Sequence, residues 1–295
     1  MKNLVIFILF ICITSCCVSK KAIEKQPESP AEIAIATEVP DVVEIPEPPQ
    51  PPKPPIQNTN NEVEENVIPL PPKPPKQSSN FKELMHNRWN GILHKHVSND
   101  GTVDYKEIKN DRIEFNIYID YLSDTLPDST WSKDEKLAYW INAYNAFTID
   151  LILRNYPLKS IKDIKDPWDQ RLWKLGDKWY NLNDIEHNIL RKMNEPRIHF
   201  AIVCASESCP KLANVAFTST NLDDQLTKAT KDFLLDTTKN ELSKNRIKLS
   251  KIFKWFKKDF EKNGSLIDFL NQYSEISISS EAKKSFKAYN WNLND

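Results

Sequence analysis

Two cysteines and a serine lie close together in the second half of the chain, directly after a short apolar run. The run covers residues 200–203, and the polar segment that follows contains Cys204, Ser206 and Cys209. Four apolar residues in a row, two of them β-branched, predict a short buried strand. Because such a strand holds the residue at its end rigidly, Cys204 is the cysteine that we predict as a nucleophile.

A nucleophilic cysteine needs a base, and the sequence offers two histidines for this role. His187 lies on a predicted helix that begins after Asn183 and precedes the cysteine segment in the chain. His199 is five residues from Cys204, and an odd separation on a straight strand places two side chains on opposite faces. The sequence therefore favours His187 over His199 as the base.

Two asparagines on a predicted central helix are candidates for orienting the base. Asn142 and Asn145 are three residues apart, so they share one face of that helix. A buried amide without partners costs about 1–3 kcal/mol. Two interpretations remain open: the amides satisfy the backbone of a neighbouring strand or loop, or they line a pocket and orient a substrate or an imidazole.

The remaining polar groups near the cysteines are predicted to support the reaction. Ser206 or the amides of the turn are candidate donors to an oxyanion. Glu186 is also a candidate orienting group, although a capping box with Asn183 would explain it without any catalytic role. The full set of possible supporting residues is Glu186, Arg191, His199 and Cys209.

Two alternatives compete with a catalytic cysteine. In an oxidising compartment Cys204 and Cys209, five residues apart around a turn, can form a disulfide that shapes the turn. A zinc site built from His187, His199, Cys204 and Cys209 has suitable ligand types, but the predicted opposite faces disfavour it. We therefore predict no metal and no cofactor.

The elements that would position these residues indicate a helix-rich α+β domain with a small β-sheet around a buried central helix. The central helix is predicted over Lys133–Asn155, with Ser132 and Glu135 as a capping box. Its middle is apolar on nearly every side, which is typical of a buried helix. Further helices are predicted over residues 81–94, 103–119, 222–233, 250–260 and 266–273, and short strands over residues 178–182 and 246–249.

The first sixteen residues are predicted to be a lipoprotein signal peptide. Lys2 is followed by a ten-residue apolar run, which is too short for a permanent membrane anchor. Thr14 and Ser15 directly precede Cys16, and small residues before a cysteine resemble the bacterial lipoprotein processing signal. Cys16 is therefore the predicted lipidation site. We expect the protein in the bacterial cell envelope, lipid-anchored at the outer membrane or its periplasmic face.

Residues 17–80 are predicted to form a disordered tether between the anchor and the folded domain. Fifteen of the chain's 20 prolines lie between Pro27 and Pro75. Proline fixes φ and removes donors, so this composition favours extended polyproline II. The net charge of −1 gives no basic field for nucleic acid. The globular domain is then residues 81–295, which is long enough for one sizeable core.

Several segments of the folded part together resemble the domain-of-unknown-function family numbered 547. The segments are Asp100-Gly101-Thr102-Val103-Asp104-Tyr105, Tyr139-Trp140-Ile141-Asn142-Ala143-Tyr144-Asn145-Ala146, Ile185-Glu186-His187-Asn188-Ile189-Leu190-Arg191, His199-Phe200-Ala201-Ile202-Val203-Cys204-Ala205-Ser206 with Ser208-Cys209-Pro210, and Tyr289-Asn290-Trp291. The resemblance extends over roughly residues 81–295. It implies an exported or lipid-anchored bacterial member, and it implies no activity because the family's activity is not established.

From these residues we predict a cysteine-dependent hydrolase or acyltransferase with a Cys204–His187 pair. The substrate class stays open among a peptide, a cell-wall fragment and a small molecule. The alternative is a non-catalytic envelope module for binding or structure, with a Cys204–Cys209 disulfide. The lipid anchor makes the membrane a predicted partner in both cases.

Overall fold

The computed structural model describes residues 79–295, with side chains described from residue 86 onward. The predicted signal peptide, Cys16 and residues 17–78 of the predicted tether lie outside the described residues, and helix α1 begins two residues before the predicted end of the tether. The helices are α1 Ser79–His96, α2 Tyr105–Asn110, α3 Arg112–Asp124, α4 Lys133–Asn155, α5 Leu222–Leu235, α6 Ile252–Trp255, α7 Lys257–Phe260 and α8 Leu266–Tyr273. The strands are β1 Trp173–Leu175, β2 Lys178–Tyr180, β3 Glu241–Leu242, β4 Arg246–Leu249 and β5 Lys283–Phe286.

Helix α4 has the bounds and the capping box that the sequence predicts. The Ser132 hydroxyl accepts a hydrogen bond from the Glu135 N–H, and the Glu135 carboxylate accepts one from the Ser132 N–H. These bonds satisfy two of the backbone donors that a helix start leaves open. Every residue of α4 between positions 137 and 153 is buried. The prediction of a buried central helix is confirmed.

The β-structure is small and lies in two sheets. Strands β1 and β2 form an antiparallel hairpin, in which Trp173 is opposite Tyr180. The second sheet has the order β3-β4-β5, with an antiparallel β3-β4 pair and a parallel β4-β5 pair. The helix-rich α+β class is confirmed.

Buried apolar side chains form two packed clusters. The larger surrounds α4, and the smaller contains the phenylalanines of α5 to α8 together with Phe200. Ala201, Ile202 and Val203 belong to the larger cluster, although they directly follow Phe200 in the chain. The segment that leads to Cys204 therefore passes from one cluster to the other.

That segment is not the strand that we predicted. Residues Pro196–Phe200 form a 3-10 helix, and the chain from Ala201 to Cys204 is irregular. The Asn145 amide donates to the Ala201 carbonyl at 2.9 Å and accepts from the Val203 N–H at 3.0 Å. This side chain supplies the backbone partners that a neighbouring strand would otherwise provide.

Other boundaries also differ from prediction. The region expected as one helix over residues 103–119 holds α2 and α3, and the region 250–260 holds α6 and α7. Strand β2 ends at Tyr180, two residues earlier than predicted.

Within residues 79–295 the structure contains no helix with the length and apolar character that crossing a membrane requires.

Candidate functional site

Two free thiols and two hydroxyl groups form a compact cluster. The Tyr289 hydroxyl lies 3.3 Å from the sulfur of Cys204, 3.3 Å from that of Cys209 and 3.1 Å from the Ser206 hydroxyl. The Ser206 hydroxyl is also 3.4 Å from the Cys204 sulfur and 3.3 Å from the Cys209 sulfur. Cys204 is half-buried and Cys209 is buried. The disulfide of our alternative hypothesis is not formed in this structure.

The C-terminal segment holds the cysteine turn in place. The N–H groups of Glu207 and Ser208 donate to the carbonyls of Asn292 and Asn290, and the Cys209 N–H donates to the Ser206 carbonyl. These three amides are therefore occupied by backbone bonds. The Ser206 hydroxyl contacts the two sulfurs and Tyr289, and its role as a donor to an oxyanion stays a prediction.

Tyr289 is a member of the site that the sequence argument missed as a functional residue. It lies 85 positions from Cys204, and only the Tyr289-Asn290-Trp291 motif pointed to this segment. The bonds between the cysteine turn and residues 290–292 bring its hydroxyl to the thiols. No local spacing encodes this contact.

The two thiols are not equivalent. Burial alone would raise the pKa of Cys209, but hydrogen bonds from Cys204, Ser206 and Tyr289 outweigh burial and lower it. The hydrogen bond with Cys209, together with burial, raises the pKa of Cys204. Removal of one proton therefore places the charge on Cys209 and leaves Cys204 as the thiol that donates to it.

The thiols open into a cleft of about 210 Å³. Five indole or phenol rings and one phenyl ring form much of its wall, and Glu186, His187 and His199 are its ionisable residues besides the tyrosines and thiols. The aromatic residues of the wall are Tyr144, Trp168, Trp255, Phe256, Tyr289 and Trp291. A cleft that is mostly apolar with a few convergent polar groups is the usual form of a small-ligand site.

Glu186 is a buried carboxyl group in this cleft rather than a capping residue. The segment Asp184–Ile189 is a π-helix, and Asn183 makes no side-chain capping bond. The Tyr144 hydroxyl donates to Glu186 Oε2 at 3.2 Å. Burial raises the pKa of Glu186 to about 7, although the Tyr144 bond and nearby Arg191 oppose the shift. The predicted capping box at Asn183 is wrong, and Glu186 is a group that can exchange a proton near neutral pH.

His187 lines the cleft but does not contact a thiol. Its Nδ1 lies 3.2 Å from Nη1 of Arg191 and 3.9 Å from Oε1 of Glu186. Within residues 79–295 it forms no hydrogen bond with Cys204. Partial burial and the charge of Arg191 lower the pKa of His187, so the ring is neutral at pH 7. The predicted cysteine–histidine pair is therefore not assembled, although both members face one cleft.

His199 lines the same cleft, so the predicted separation onto opposite faces is wrong. Opposite faces require a straight strand from His199 to Cys204. His199 lies instead in the 3-10 helix Pro196–Phe200. Its Nε2 is 2.8 Å from Oδ2 of Asp259, and its ring stacks on Phe256 with centroids 3.9 Å apart. Arg191 donates two hydrogen bonds to the same carboxylate, at 2.6 and 3.0 Å. This network fixes one wall of the cleft.

The side chains of Asn142 and Asn145 form hydrogen bonds with backbone groups and do not line the cleft. Asn142 donates to the Phe217 carbonyl at 2.8 Å and accepts from its N–H at 3.0 Å. Asn145 makes the corresponding pair of bonds to Ala201 and Val203. Of our two interpretations, the hydrogen bonds of both residues fit the structural one, and their catalytic role stays a prediction. Among the described residues, no group of three or more His, Cys, Asp or Glu side chains is arranged to hold a metal ion.

Residues 129–234 match the family model described as "Protein of unknown function, DUF547". The matched segment contains α4, Glu186, His187 and both cysteines of the site, and it ends before Asp259 and Tyr289. This segment of the domain is therefore similar to that family. No curated protein matches the chain. No solved structure matches it either.

Proposed function

We propose that the domain is a thiol-dependent hydrolase or acyltransferase. One observation carries the proposal: two free thiols, Cys204 and Cys209, lie 3.3 Å from the same tyrosine hydroxyl in an aromatic cleft, and the Cys204 N–H donates to the Cys209 sulfur. Thiolate formation controls the reactivity of a cysteine. The proton acceptor in this proposal is Cys209, which replaces the His187 of the sequence-based hypothesis.

The reaction begins when the sulfur of Cys204 attacks a carbonyl carbon of the bound substrate. A carbon–sulfur bond forms, the carbonyl electrons move to oxygen, and the Cys204 proton passes to the Cys209 thiolate. Collapse of this intermediate breaks the bond to the leaving group, which takes the proton from Cys209. The result is an acyl group on Cys204 and a thiolate on Cys209.

Water or an acceptor nucleophile then removes the acyl group. Glu186, whose pKa of about 7 suits proton transfer at neutral pH, accepts the proton of that nucleophile. The carbon–sulfur bond breaks, and Cys204 recovers a proton from the protonated carboxyl group. His187 lies 3.9 Å from Glu186 and assists this second stage from the same wall.

Acylation of Cys204 tests the proposal. The full chain is incubated with activated esters and thioesters of small carboxylic acids, and acyl groups are located by peptide mass spectrometry. We expect an acyl group on Cys204 in the unaltered chain, little acylation in Cys209→Ser, and none at this position in Cys204→Ser. His187→Ala should slow removal of the acyl group from Cys204. Its matched control is His94→Ala, at an exposed histidine. Absence of any acyl-Cys204, with product release unchanged in Cys204→Ser, contradicts the proposal.

We further propose that the chain is an exported bacterial lipoprotein anchored through Cys16. The small residues before Cys16 and the Pro-rich residues 17–80 support this proposal. Expression with a radiolabelled fatty acid tests it: label is expected in the unaltered chain and in Cys17→Ala, and is lost in Cys16→Ala. Label that persists in Cys16→Ala contradicts the assignment.

The alternative function is a non-catalytic envelope module with a Cys204–Cys209 disulfide. The common contact of both sulfurs with the Tyr289 hydroxyl favours it, because the two sulfurs are held near each other. Mass spectrometry of chain taken directly from the envelope separates the two functions. A joined pair in all molecules supports the module, whereas free thiols support the catalytic proposal.

A further inference from the structure

One wall of the thiol cleft is built from three tryptophans that pack on one another. Trp168 and Trp291 meet edge to face with centroids 5.9 Å apart, and Trp255 stacks on Trp291 at 5.8 Å. Trp255 retains 46% of its exposure, so much of this indole is open to solvent. Indole faces are the best aromatic partners for cations.

One oxygen of Glu186 is open in the same cleft. Its Oε2 accepts the Tyr144 hydroxyl, while its Oε1 makes no hydrogen bond within residues 79–295 and lies 3.9 Å from His187 Nδ1. The Glu186 side chain is only 10% exposed. This oxygen is not a fully buried atom, so it can bond to a ligand or to water in the cleft.

Among the described residues, no lysine or arginine lines this cleft. Arg191, which contacts His187, donates two hydrogen bonds to the Asp259 carboxylate, so its charge is compensated. Burial lowers the pKa values of His187 and His199, which keeps both rings neutral at pH 7. Among the described residues of the cleft, Glu186 is therefore the group that supplies a charge to a ligand besides the Cys209 thiolate, and both charges are negative.

One face of the tryptophan wall already carries a cation. The Nζ of Lys162 lies over the Trp291 ring, 5.2 Å from its centroid. Lys162 does not line the cleft. The Trp291 ring therefore already pairs with one ammonium group.

We infer that the cleft binds an alkylammonium group of its substrate, between the open oxygen of Glu186 and the tryptophan wall. This inference rests on the proposed function, because it names the substrate class of the same thiol site. The substrate would be an acyl compound with an amino or quaternary ammonium group near its reactive carbonyl. Anionic acyl compounds would be rejected by Glu186.

Charge-selective labelling of Cys204 tests the inference. Alkyl methanethiosulfonates transfer their alkylthio group to a thiolate, forming a disulfide and releasing methanesulfinate. Three probes with a two-carbon arm carry a trimethylammonium group, a sulfonate group or a neutral alkyl group. Rates at Cys204 in the full chain are read by peptide mass spectrometry, which separates it from Cys12, Cys16 and Cys17. Each rate is divided by the rate of the same probe with a small free thiol.

We expect the ammonium probe to react about ten-fold faster than the neutral probe after this correction, and the sulfonate probe to react more slowly than either. Glu186→Gln keeps the shape of the side chain and should remove most of this selectivity. Glu207→Gln, an exposed carboxylate beside Cys204, is the matched control and should leave it unchanged. Equal corrected rates for all three probes, or selectivity that survives Glu186→Gln, overturn the inference.

If the probes cannot reach the Cys204 thiol through the cleft, a second measurement tests the inference. Choline and its neutral isostere 3,3-dimethylbutanol are titrated against the full chain while tryptophan fluorescence is recorded. Tighter binding of choline, weakened by Glu186→Gln, is expected; equal binding or no binding of both overturns the inference. Neither experiment requires acyl transfer, so failure of the proposed function with charge selectivity intact is distinguishable from failure of this inference.

Discussion

The backbone N–H of Cys204 donates a hydrogen bond to the sulfur of Cys209, with 3.0 Å between nitrogen and sulfur. A backbone donor is fixed by the fold and cannot be removed by a change of side chain. It stabilises a negative charge on Cys209 whenever the pair loses a proton. The less exposed cysteine is thus the more acidic one, and the more accessible Cys204 keeps its proton.

This relationship predicts opposite effects for the two cysteine substitutions. In Cys209→Ser, Cys204 loses its proton acceptor while its burial remains. Cys209 then no longer raises the pKa of Cys204, so the midpoint pH of Cys204 alkylation by iodoacetamide should fall, although burial keeps it above the ordinary thiol value of about 8.5. In Cys204→Ser, the backbone donor persists, so Cys209 should remain alkylatable below pH 8.5. Mass spectrometry that resolves the two cysteines measures the alkylation of each across pH. A midpoint at the ordinary thiol pKa for Cys209 in Cys204→Ser contradicts the assignment.

The raised pKa of Glu186 predicts that the stability of the fold falls as the pH rises from 4.5 to 7. Its pKa is raised from 4.5 to about 7 in the folded chain, so the folded state binds more protons than the unfolded state between these values. The group therefore costs nothing below pH 4.5, destabilises the fold increasingly up to pH 7, and reaches its full cost above pH 7. Glu186→Gln should unfold at a higher temperature than the unaltered chain at pH 8 and at about the same temperature at pH 4.

Thermal unfolding of the two proteins at several pH values checks this dependence. Glu207→Gln, whose carboxylate is exposed, is the control and should show no such trend. A stability difference between Glu186→Gln and the unaltered chain that is the same at pH 4 and pH 8 contradicts the raised pKa.

Local signals in the sequence were sufficient for the main helices. The capping box at Ser132 and the apolar run between it and Pro157 predict the bounds of α4 correctly, because both signals lie within the helix or at its ends. The strand β4 was also predicted correctly, since it alternates buried and exposed residues.

The errors around the site have one physical origin. Residues 200–203 are apolar enough for a buried strand, and their spacing does not reveal that a distant amide, Asn145, satisfies their backbone. Once the strand was assumed, His199 was assigned to the wrong face and His187 was favoured as base. Tyr289 was missed for the same reason, because its contact with Cys204 arises only when the C-terminal segment folds onto the cysteine turn.

Asn145 is predicted to be a structural residue whose loss destabilises the fold. Asn145→Ala leaves the Ala201 carbonyl and the Val203 N–H without partners in a buried region. Each such group costs about 1–3 kcal/mol, so we expect the free energy of unfolding to fall by an amount in this range or above it. Urea unfolding measures the change. Asn110→Ala, at an exposed position, should change it by less than about 0.5 kcal/mol.

The reactivity of Cys204 in Asn145→Ala separates this structural role from a catalytic one. If Asn145 only holds backbone, the fraction of Asn145→Ala that remains folded should alkylate Cys204 with the pH dependence of the unaltered chain. A normal free energy of unfolding combined with altered thiol reactivity would instead restore the orienting role that the sequence left open.

Tyr289 is predicted to tune the thiols through its hydroxyl and to stabilise the C-terminal segment through its ring. The ring contacts Trp255 and Trp291, with centroids 4.8 and 4.5 Å away, and Tyr289→Phe keeps these contacts. The substitution removes the hydroxyl that bonds both sulfurs, which should raise the pKa of Cys209 and lower the alkylation rate of Cys204 at pH 7 by about ten-fold. The thermal unfolding temperature should change little. Tyr121→Phe, at an exposed tyrosine, is the control; a stability loss in Tyr289→Phe with unchanged thiol reactivity means that Tyr289 serves only to hold the segment.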